Sequence, residues 1–358
     1  MPPINESFAL LSERFMLVAG IAYAVAFVAF AWDLMTYSKT TRKVAATSAA
    51  ASGQVVRDRQ LAGVGAAILG VGPADIAERP SSKRHDGAPA DGVTAGDSMR
   101  YAGPRRAVAR VAVALTLLAV AANGAGVLFR GLAAGRVPWG NMYEFCTTGG
   151  FLVSAVFLVV LIRRDLRFLG VFVTGLSLLM LAAASVSFWT PAGHLVPALQ
   201  SYWLVIHVSI AVLSSALFTL TFAMSVLQLI QSRREGAIAG GRDDRLPFMR
   251  LVPTALSLEN MSYRINGIAF VGWTLTLMFG SIWAEKAWGR FWGWDTKEVW
   301  TFVIWVVFAG YLHARATRGW TGTRAAWLSI VGYLCVVFNF TIVNVYFSGL
   351  HSYAGVGS

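Results

Sequence analysis

The sequence contains few residues that could carry dithiol or nucleotide chemistry. There are two cysteines in 358 residues, and Cys146 and Cys335 stand in separate apolar runs without a CxxC partner. A dithiol redox centre needs two neighbouring thiols, so both are interpreted as small buried hydrophobic side chains. No P-loop, no GxGxxG and no HExxH occurs. ATP-driven transport by this chain alone is therefore not expected.

Charged residues are also scarce. They make up 13% of the chain against 56% hydrophobic residues, and the mean hydropathy is +0.59. An apolar run of roughly 20 residues is long enough to cross the hydrocarbon core as a helix. Eight such runs lie near 15–34, 107–129, 145–162, 168–188, 204–230, 266–284, 299–314 and 325–347. The sequence thus predicts an all-α protein, a polytopic membrane helix bundle of about eight transmembrane helices.

The chain divides into three predicted regions. Residues 1–36 form an N-terminal transmembrane helix rather than a cleaved signal peptide, because they lack a basic n-region and a clear small-residue cleavage site. Residues 37–105 form a cytoplasmic connection whose middle, around 73–103, has too little apolar periodicity to fold. Residues 106–358 form the main transmembrane domain. A second, shorter flexible connection is predicted at 231–250.

Acidic residues are fewer than basic ones, 18 against 30, and the basic residues are unevenly placed. The connections 37–110, 163–167, 231–264 and 315–324 hold 24 of them. Cytoplasmic loops carry the positive excess, so the protein is expected in the plasma (cytoplasmic) membrane, multi-pass, with both termini outside. The net charge of +12 is then topogenic, and no nucleic-acid partner is predicted.

The segment WGRFWGWDTKEVW, residues 288–300, differs from every other part of the chain. It contains Trp288, Trp292, Trp294 and Trp300. It also carries four charges, which are costly at membrane depth, so an outward loop is predicted at 285–298. Glycines between flat indoles let the backbone approach a planar apolar partner, which favours an aromatic platform for a large flat ligand. An interfacial aromatic belt is the alternative.

The five histidines take different places in the predicted topology. His85 lies in the long connection and is interpreted as inert, whereas His194 lies in an outward, proline-containing loop and is interpreted as solvated. His207, near the outer end of the fifth run, and His351, after the eighth, lie on the same face as the tryptophan loop. Two neutral imidazoles on either side of an aromatic platform suit iron in a flat macrocycle, which predicts haem. Hydrogen bonding between helices is the alternative role.

His313 belongs to the other half of the seventh run. A rise of about 1.5 Å per residue places it roughly 20 Å from Trp300, too far to share an iron with the outer pair. It is a candidate ligand for a second, inner haem position. The alternative is a side chain that extends toward the membrane surface beside Arg315 and Arg318.

These residues resemble the CcsA/ResC-type cytochrome c biogenesis proteins of system II, whose actinobacterial members are often called CcsB or ResC. The resemblance covers about 137–355 and includes the "WWD" signature shared with other haem-handling proteins. It rests on WGRFWGWDTKEVW, LVPALQSYWLVIHV with His207, VPWGNMYEF at 137–145, YLHARATRGW with His313, and NVYFSGLHSYAG with His351. Residues 37–105 match nothing in the family, and the N-terminal helix resembles it only loosely.

The resemblance implies transport of haem b, as substrate and ligand, to the outer face and its presentation to apocytochrome c for attachment to CxxCH thiols. By position, His207 and His351 correspond to two external axial ligands of the haem iron, and His313 to one ligand of an inner site. A membrane partner of the ResB/CcsB type supplies the second inner histidine. Haem-attachment (cytochrome c synthase) activity is therefore expected only in complex with that partner.

The resemblance also implies further contacts and partners. Its expected partners include a thioredoxin-like reductant of apocytochrome and membrane lipid. No catalytic nucleophile is assigned, because attachment depends mainly on proximity and orientation. The expected haem-presenting residues are Trp288, Trp292, Trp294 and Asp295, with Trp300 and Trp139 as further cofactor contacts. Asp295, Lys297 and Arg290 are candidates to orient propionates or acceptor peptide, or are simply solvated.

Two other function classes stay open on sequence. A b-type electron-transfer cytochrome would place facing histidine pairs within the bilayer, whereas only single histidines occur here. A system I-like haem-delivery protein of the CcmC or CcmF kind shares the WWD loop but hands haem to a chaperone. Dependence on a ResB-type partner would separate that protein from the favoured interpretation, and a bare scaffold would bind no haem.

Overall fold

The computed structural model describes residues 3–36, 97–101, 106–317 and 319–351. Within these residues the fold is all-α. The helices are α1 (Glu6–Thr36), α2 (Ala107–Ala134), α3 (Met142–Leu161), α4 (Gly170–Ser187), α5 (Tyr202–Ala239), α6 (Ala255–Trp288), α7 (Thr296–Thr317), α8 (Thr323–Phe340) and α9 (Ile342–Tyr346). The first eight are long and apolar enough to cross a membrane, which confirms the predicted count. His85 and most of the 37–105 connection lie outside the described residues.

Local sequence signals set several helix ends. Asn141 caps α3, because its side chain accepts a hydrogen bond from the Glu144 backbone at 2.9 Å. At the C-terminal ends of α2 and α6, Gly135 and Gly289 adopt left-handed backbone angles, with φ of 62° and 72°. Glycine reaches this region without steric cost and commonly ends a helix. Local residue types therefore determine the turns that precede the VPWGNMYEF segment and the tryptophan loop.

Helices α5 and α6 form a long antiparallel pair. Side-chain hydrogen bonds join them at Gln228–Glu259, 3.2 Å, and at Thr221–Asn266, 2.6 Å. Helix α5 runs to Ala239, past its predicted end at residue 230. The prediction of a flexible connection over 231–250 is therefore wrong for its first half, because the helix continues through polar residues beyond the apolar run.

The two ends of the bundle have different characters. One end, here named the loop end, carries residues 288–300 together with the start of α5 and the end of α8. The other end, the opposite end, is tied by buried charges: Glu259 pairs with Arg315 and also accepts from the Gly322 backbone at 2.9 Å. The core between them is apolar, with Phe218 and Phe308 stacked at 3.8 Å between ring centroids. The fold thus brings three separated sequence segments to the loop end.

Candidate functional site

A cavity opens at the loop end, and its volume is about 1230 Å³ including the space at its mouth. Its walls come from the segment before α3, from α5 and α6, from residues 291–301, and from the ends of α8 and of the described chain. Concave, mostly apolar sites with a few polar groups commonly hold small molecules and cofactors. Both His207 and His351 line it.

The same ring nitrogen, Nδ1, is engaged in a hydrogen bond in both histidines. Nδ1 of His207 lies 2.9 Å from the Thr276 carbonyl oxygen, and Nδ1 of His351 lies 2.7 Å from Oδ2 of Asp295. Both acceptors lack a proton to give, so each neutral imidazole donates through Nδ1. Nε2 of each ring is then the bare nitrogen that can bind a metal. The hydrogen bond from His351 also keeps the pKa of the Asp295 carboxyl below its usual value.

Trp283 lies against both histidines, and sequence reasoning missed it. Its ring centroid is 5.9 Å from that of His207, nearly parallel, and 5.5 Å from that of His351, edge-on. Gly280, one turn earlier on α6, leaves room for His207: an added Cβ would lie 2.7 Å from Cε1 of the imidazole. The antiparallel alignment of α5 and α6 was the missing signal, since it sets which α6 residues face His207.

The predicted aromatic residues occupy different positions. Trp139 and Trp292 line the cavity. Trp288 contacts His351, with ring centroids 4.9 Å apart, and Trp300 packs on Phe338 at 4.3 Å. Trp294 is 76% exposed and does not line the cavity, although its ring is edge-on to that of Trp292 with centroids 6.0 Å apart. Of the predicted platform, Trp292 therefore lies at the cavity wall and Trp294 on the exposed surface beside it.

The WWD segment turns sharply because α7 begins within it. Glu298, which is buried, accepts hydrogen bonds from the backbone of Gly293 at 2.8 Å and of Asp295 at 3.1 Å. Asp295 in turn accepts from the Lys297 backbone at 3.3 Å. The pattern resembles a capping box, except that the Asp295 carboxylate accepts from the amide of Lys297 instead of that of Glu298. Trp294 between them has φ 56°, a left-handed angle uncommon outside glycine.

Of the predicted charged residues, Lys297 lines the cavity, whereas Arg290 is exposed and folds against Gly293 of its own loop. The Lys297 ammonium donates to Asn344 and, at 3.2 Å, to the Asn339 carbonyl, and it makes no ion pair with a described residue. Two buried polar atoms on the wall, Nε1 of Trp139 and Oδ1 of Asn339, also find no partner among the described residues. The wall therefore offers a cation and two unused polar groups.

Glu144 holds the wall that carries Trp139. It is fully buried and accepts from Arg130 Nε at 3.0 Å, from Arg136 at 2.8 and 2.9 Å, and from the Gly140 backbone at 2.7 Å. The sequence predicted the VPWGNMYEF segment as part of the outward wall, with rigid loop packing as the alternative. The segment is packed and also lines the cavity, and its outward orientation stays a prediction.

The other two described histidines lie elsewhere. His194 is exposed beside the loop end and does not line the main cavity. His313 is exposed on α7 toward the opposite end, in a shallow groove with Arg264 and Gly267 of α6. This groove is separate from the cavity that His207 and His351 line, and the role of His313 at an inner site stays a prediction. No group of three or more His, Cys, Asp or Glu that could hold a metal ion occurs in the described ranges.

Comparison with known proteins identifies a family whose sequence model covers the residues that line this cavity. The sequence model described as "Cytochrome C assembly protein" matches residues 139–351. The chain belongs to this family. The matched stretch begins at Trp139, ends at His351 and contains every residue that lines the cavity. A role in cytochrome c maturation follows, and the family implies that haem is handled and that apocytochrome c and partner proteins take part.

Curated relatives agree. The chain is 35% identical to the cytochrome c biogenesis protein CcsA of Guillardia theta over 242 residues, 63% of this chain and 79% of the relative. It is 34% identical over 275 residues to the CcsA protein of Synechococcus sp. (strain RCC307), 70% of this chain and 86% of the relative. For the CcsA protein of Porphyra purpurea the identity is 32% over 277 residues, 68% of this chain and 87% of the relative.

Proposed function

We propose that this protein carries haem b across the membrane and, with a ResB/CcsB-type partner, presents it at the outer face for attachment to the CxxCH thiols of apocytochrome c. The observation that carries the proposal is the pair His207 and His351 in one apolar cavity, each with Nδ1 engaged and Nε2 available. Imidazole nitrogen is a common axial ligand of haem iron. Membership of the cytochrome c assembly family supports the same cargo.

The remaining wall suits the rest of the macrocycle. Apolar and aromatic side chains contact a porphyrin face through area burial, and Trp139 and Trp292 supply them. Haem also carries two propionate groups, which are anionic at neutral pH. Lys297, which makes no close ion pair among the described residues, is the group that would receive a propionate. Arg290, turned back on its loop, is a candidate for the acceptor peptide.

Thioether attachment needs no catalytic nucleophile from the chain itself. Each cysteine thiol adds across a vinyl group, so no nucleophile from the protein is needed, and the gain comes from proximity and orientation. A histidine of the CxxCH motif must replace one of the two axial imidazoles before the product can leave. A thioredoxin-like reductant would keep the acceptor thiols reduced. Attachment activity is expected of the complex with the ResB/CcsB-type partner, not of this chain alone.

His313 is proposed as one ligand of an inner haem site. Its exposure on α7, in a groove with Gly267 and Arg264, leaves it accessible to a second membrane protein. A partner histidine approaching this face would complete an axial pair. The inner site would then lie at the boundary between the two proteins, and the outer site would lie within this chain.

The test is the absorption spectrum of the detergent-purified chain, alone and with its ResB-type partner. The variants are His207→Gly, His351→Gly and His313→Gly, each with and without imidazole, and His194→Gly is the control because its side chain lies off the cavity. We expect reduced haem in the wild type, a disturbed spectrum in the two outer variants, and recovery with imidazole.

A haem spectrum indifferent to both outer substitutions would refute the ligand assignment. Stable haem that quinol reduces and that needs no partner would instead support an electron-transfer cytochrome. Haem transfer to a chaperone without a ResB-type protein would support the system I-like alternative. Each outcome is read on the same preparations, so the three functions are separated directly.

A further inference from the structure

Asp295 lines no part of the main cavity, yet it contacts three consecutive residues, Gly349 to His351, of the segment that follows α9. Oδ1 accepts from the Leu350 backbone at 3.0 Å, and Oδ2 accepts from Nδ1 of His351 at 2.7 Å. Gly349 passes so close that an added Cβ would overlap Oδ1 of Asp295. One carboxylate therefore holds the segment in place and also orients its imidazole.

We infer that Asp295 is a positioning residue for His351: its carboxylate fixes the Nδ1-protonated tautomer and makes this imidazole the more electron-donating of the two axial ligands. The inference rests on the proposed function. Metal-bound histidines commonly donate their second ring N–H to a carboxylate or carbonyl, and this partner sets both ring orientation and ligand basicity. The expected role of Asp295 as a direct haem contact is thereby replaced by one through His351.

The two axial histidines differ in this respect. His207 donates to a neutral backbone carbonyl, that of Thr276, whereas His351 donates to an anion. An anionic acceptor leaves more electron density on the ring and stabilises ferric iron relative to ferrous iron. Loss of the charge at Asp295 should therefore raise the midpoint potential of the outer haem. Among the described residues, the hydrogen-bond partner of His207 Nδ1 is a neutral carbonyl, so no such charge can be removed there by substitution.

Asp295 is itself held from α7. Glu298 binds the Asp295 amide, and the Asp295 carboxylate accepts from the amide of Lys297. Because the helix start is rigid, the carboxylate has a fixed position toward which His351 must turn. The WWD loop thus acts on the iron site through a hydrogen bond as well as through its aromatic rings.

The first test is the midpoint potential of the outer haem in the full-length protein purified with its partner. Asp295→Asn keeps the side-chain volume and one acceptor oxygen but removes the charge. We expect a bis-imidazole spectrum with a raised potential. Asp165→Asn is the control, since Asp165 lies at the opposite end and pairs with Arg167. An unchanged potential in Asp295→Asn, with both proteins folded, would overturn the inference.

The second test does not depend on the potential. In His351→Gly, imidazole can donate an N–H to Asp295, whereas 1-methylimidazole, bound to iron through its free nitrogen, cannot. A hydrogen bond to a charged group is worth about 1.5–3 kcal/mol. Imidazole should therefore restore the spectrum at a concentration on the order of tenfold or more below the concentration of 1-methylimidazole that is needed. In His351→Gly/Asp295→Leu, where the branched shape is kept and the acceptor is gone, the two compounds should act alike.

The outcomes separate this inference from the proposed function. If haem binding responds to His351→Gly but the preference for imidazole survives in the double variant, His351 is a ligand and the role of Asp295 is refuted. If His351→Gly leaves the spectrum unchanged, the ligand assignment fails and the inference fails with it. Loss of the preference only when Asp295 is replaced supports both.

Discussion

Replacing Glu144 tests whether the wall of the cavity depends on buried charge. The side chain is 0% exposed, and Arg130, its closest partner on α2, is 3% exposed. Glu144→Ala leaves this guanidinium buried without its anion and removes the acceptor of the Gly140 amide. Glu144→Gln keeps the shape and loses the charge. Both variants should destabilise the folded protein, the alanine variant more.

The size of the effect follows from the partners that remain. Breaking a buried ion pair by removing one member costs about 3–5 kcal/mol, because the other charge stays desolvated. Arg130 keeps hydrogen bonds to the carbonyls of Thr190 and Pro191, at 2.7 and 3.0 Å. We therefore expect the lower end, about 3 kcal/mol, which is roughly a hundredfold change in the unfolding equilibrium.

The assay is reversible unfolding in mixed micelles, followed by circular dichroism and tryptophan fluorescence. Glu6→Gln is the control, because Glu6 is exposed at the start of α1 and should change stability by less than about 0.5 kcal/mol. Because the same carboxylate holds the Gly140 amide next to Trp139, the alanine variant should also retain less haem. Equal stability of Glu144→Ala and Glu6→Gln would refute the reasoning.

Two further predictions use other contacts. Gly280→Ala should weaken the outer haem spectrum, because the added Cβ would fall 2.7 Å from His207. Gly20→Ala is the control, since no atom lies within 4 Å of its added Cβ. Equal haem spectra of the two variants would contradict the prediction. Hydrogen bonds from Arg234 lower the pKa of Asp244, so this carboxylate stabilises the fold above its usual pKa of about 3.9, and the gain is lost as pH falls through the lowered value. Asp244→Asn should reduce this loss of stability at acid pH. If the free energy of unfolding has the same pH dependence in the variant as in the wild type, Asp244 does not contribute to it.

The spans were predictable because membrane helices leave a simple trace in sequence. All eight apolar runs correspond to helices, since a run of about 20 apolar residues has few other structures open to it in lipid. Their ends were less predictable. Helix α5 continues to Ala239 because helical hydrogen bonding does not stop where hydropathy does. The 73–103 segment falls almost wholly outside the described residues, so its disorder stays a prediction.

The site was predictable by residue type but not by orientation. His207 and His351 reach one cavity as expected. Trp294 was grouped with the platform but is 76% exposed and does not line the cavity, because a loop has no periodicity from which the direction of a side chain can be predicted. Trp283 and the bond between Asp295 and His351 depend on how distant segments meet. No local pattern in a single sequence carries that information.

The stretch that matches the family begins at Trp139, but the wall there is completed from outside it. Arg130 and Arg136 precede the matched residues and supply the cations that hold Glu144. A buried carboxylate needs such partners, because a lone charge away from water is strongly unfavourable. Arg130 and Arg136 therefore contribute to the cavity wall through electrostatics, without lining the cavity themselves. Grafting residues 139–351 alone onto another scaffold should lose this support unless both arginines are carried with it.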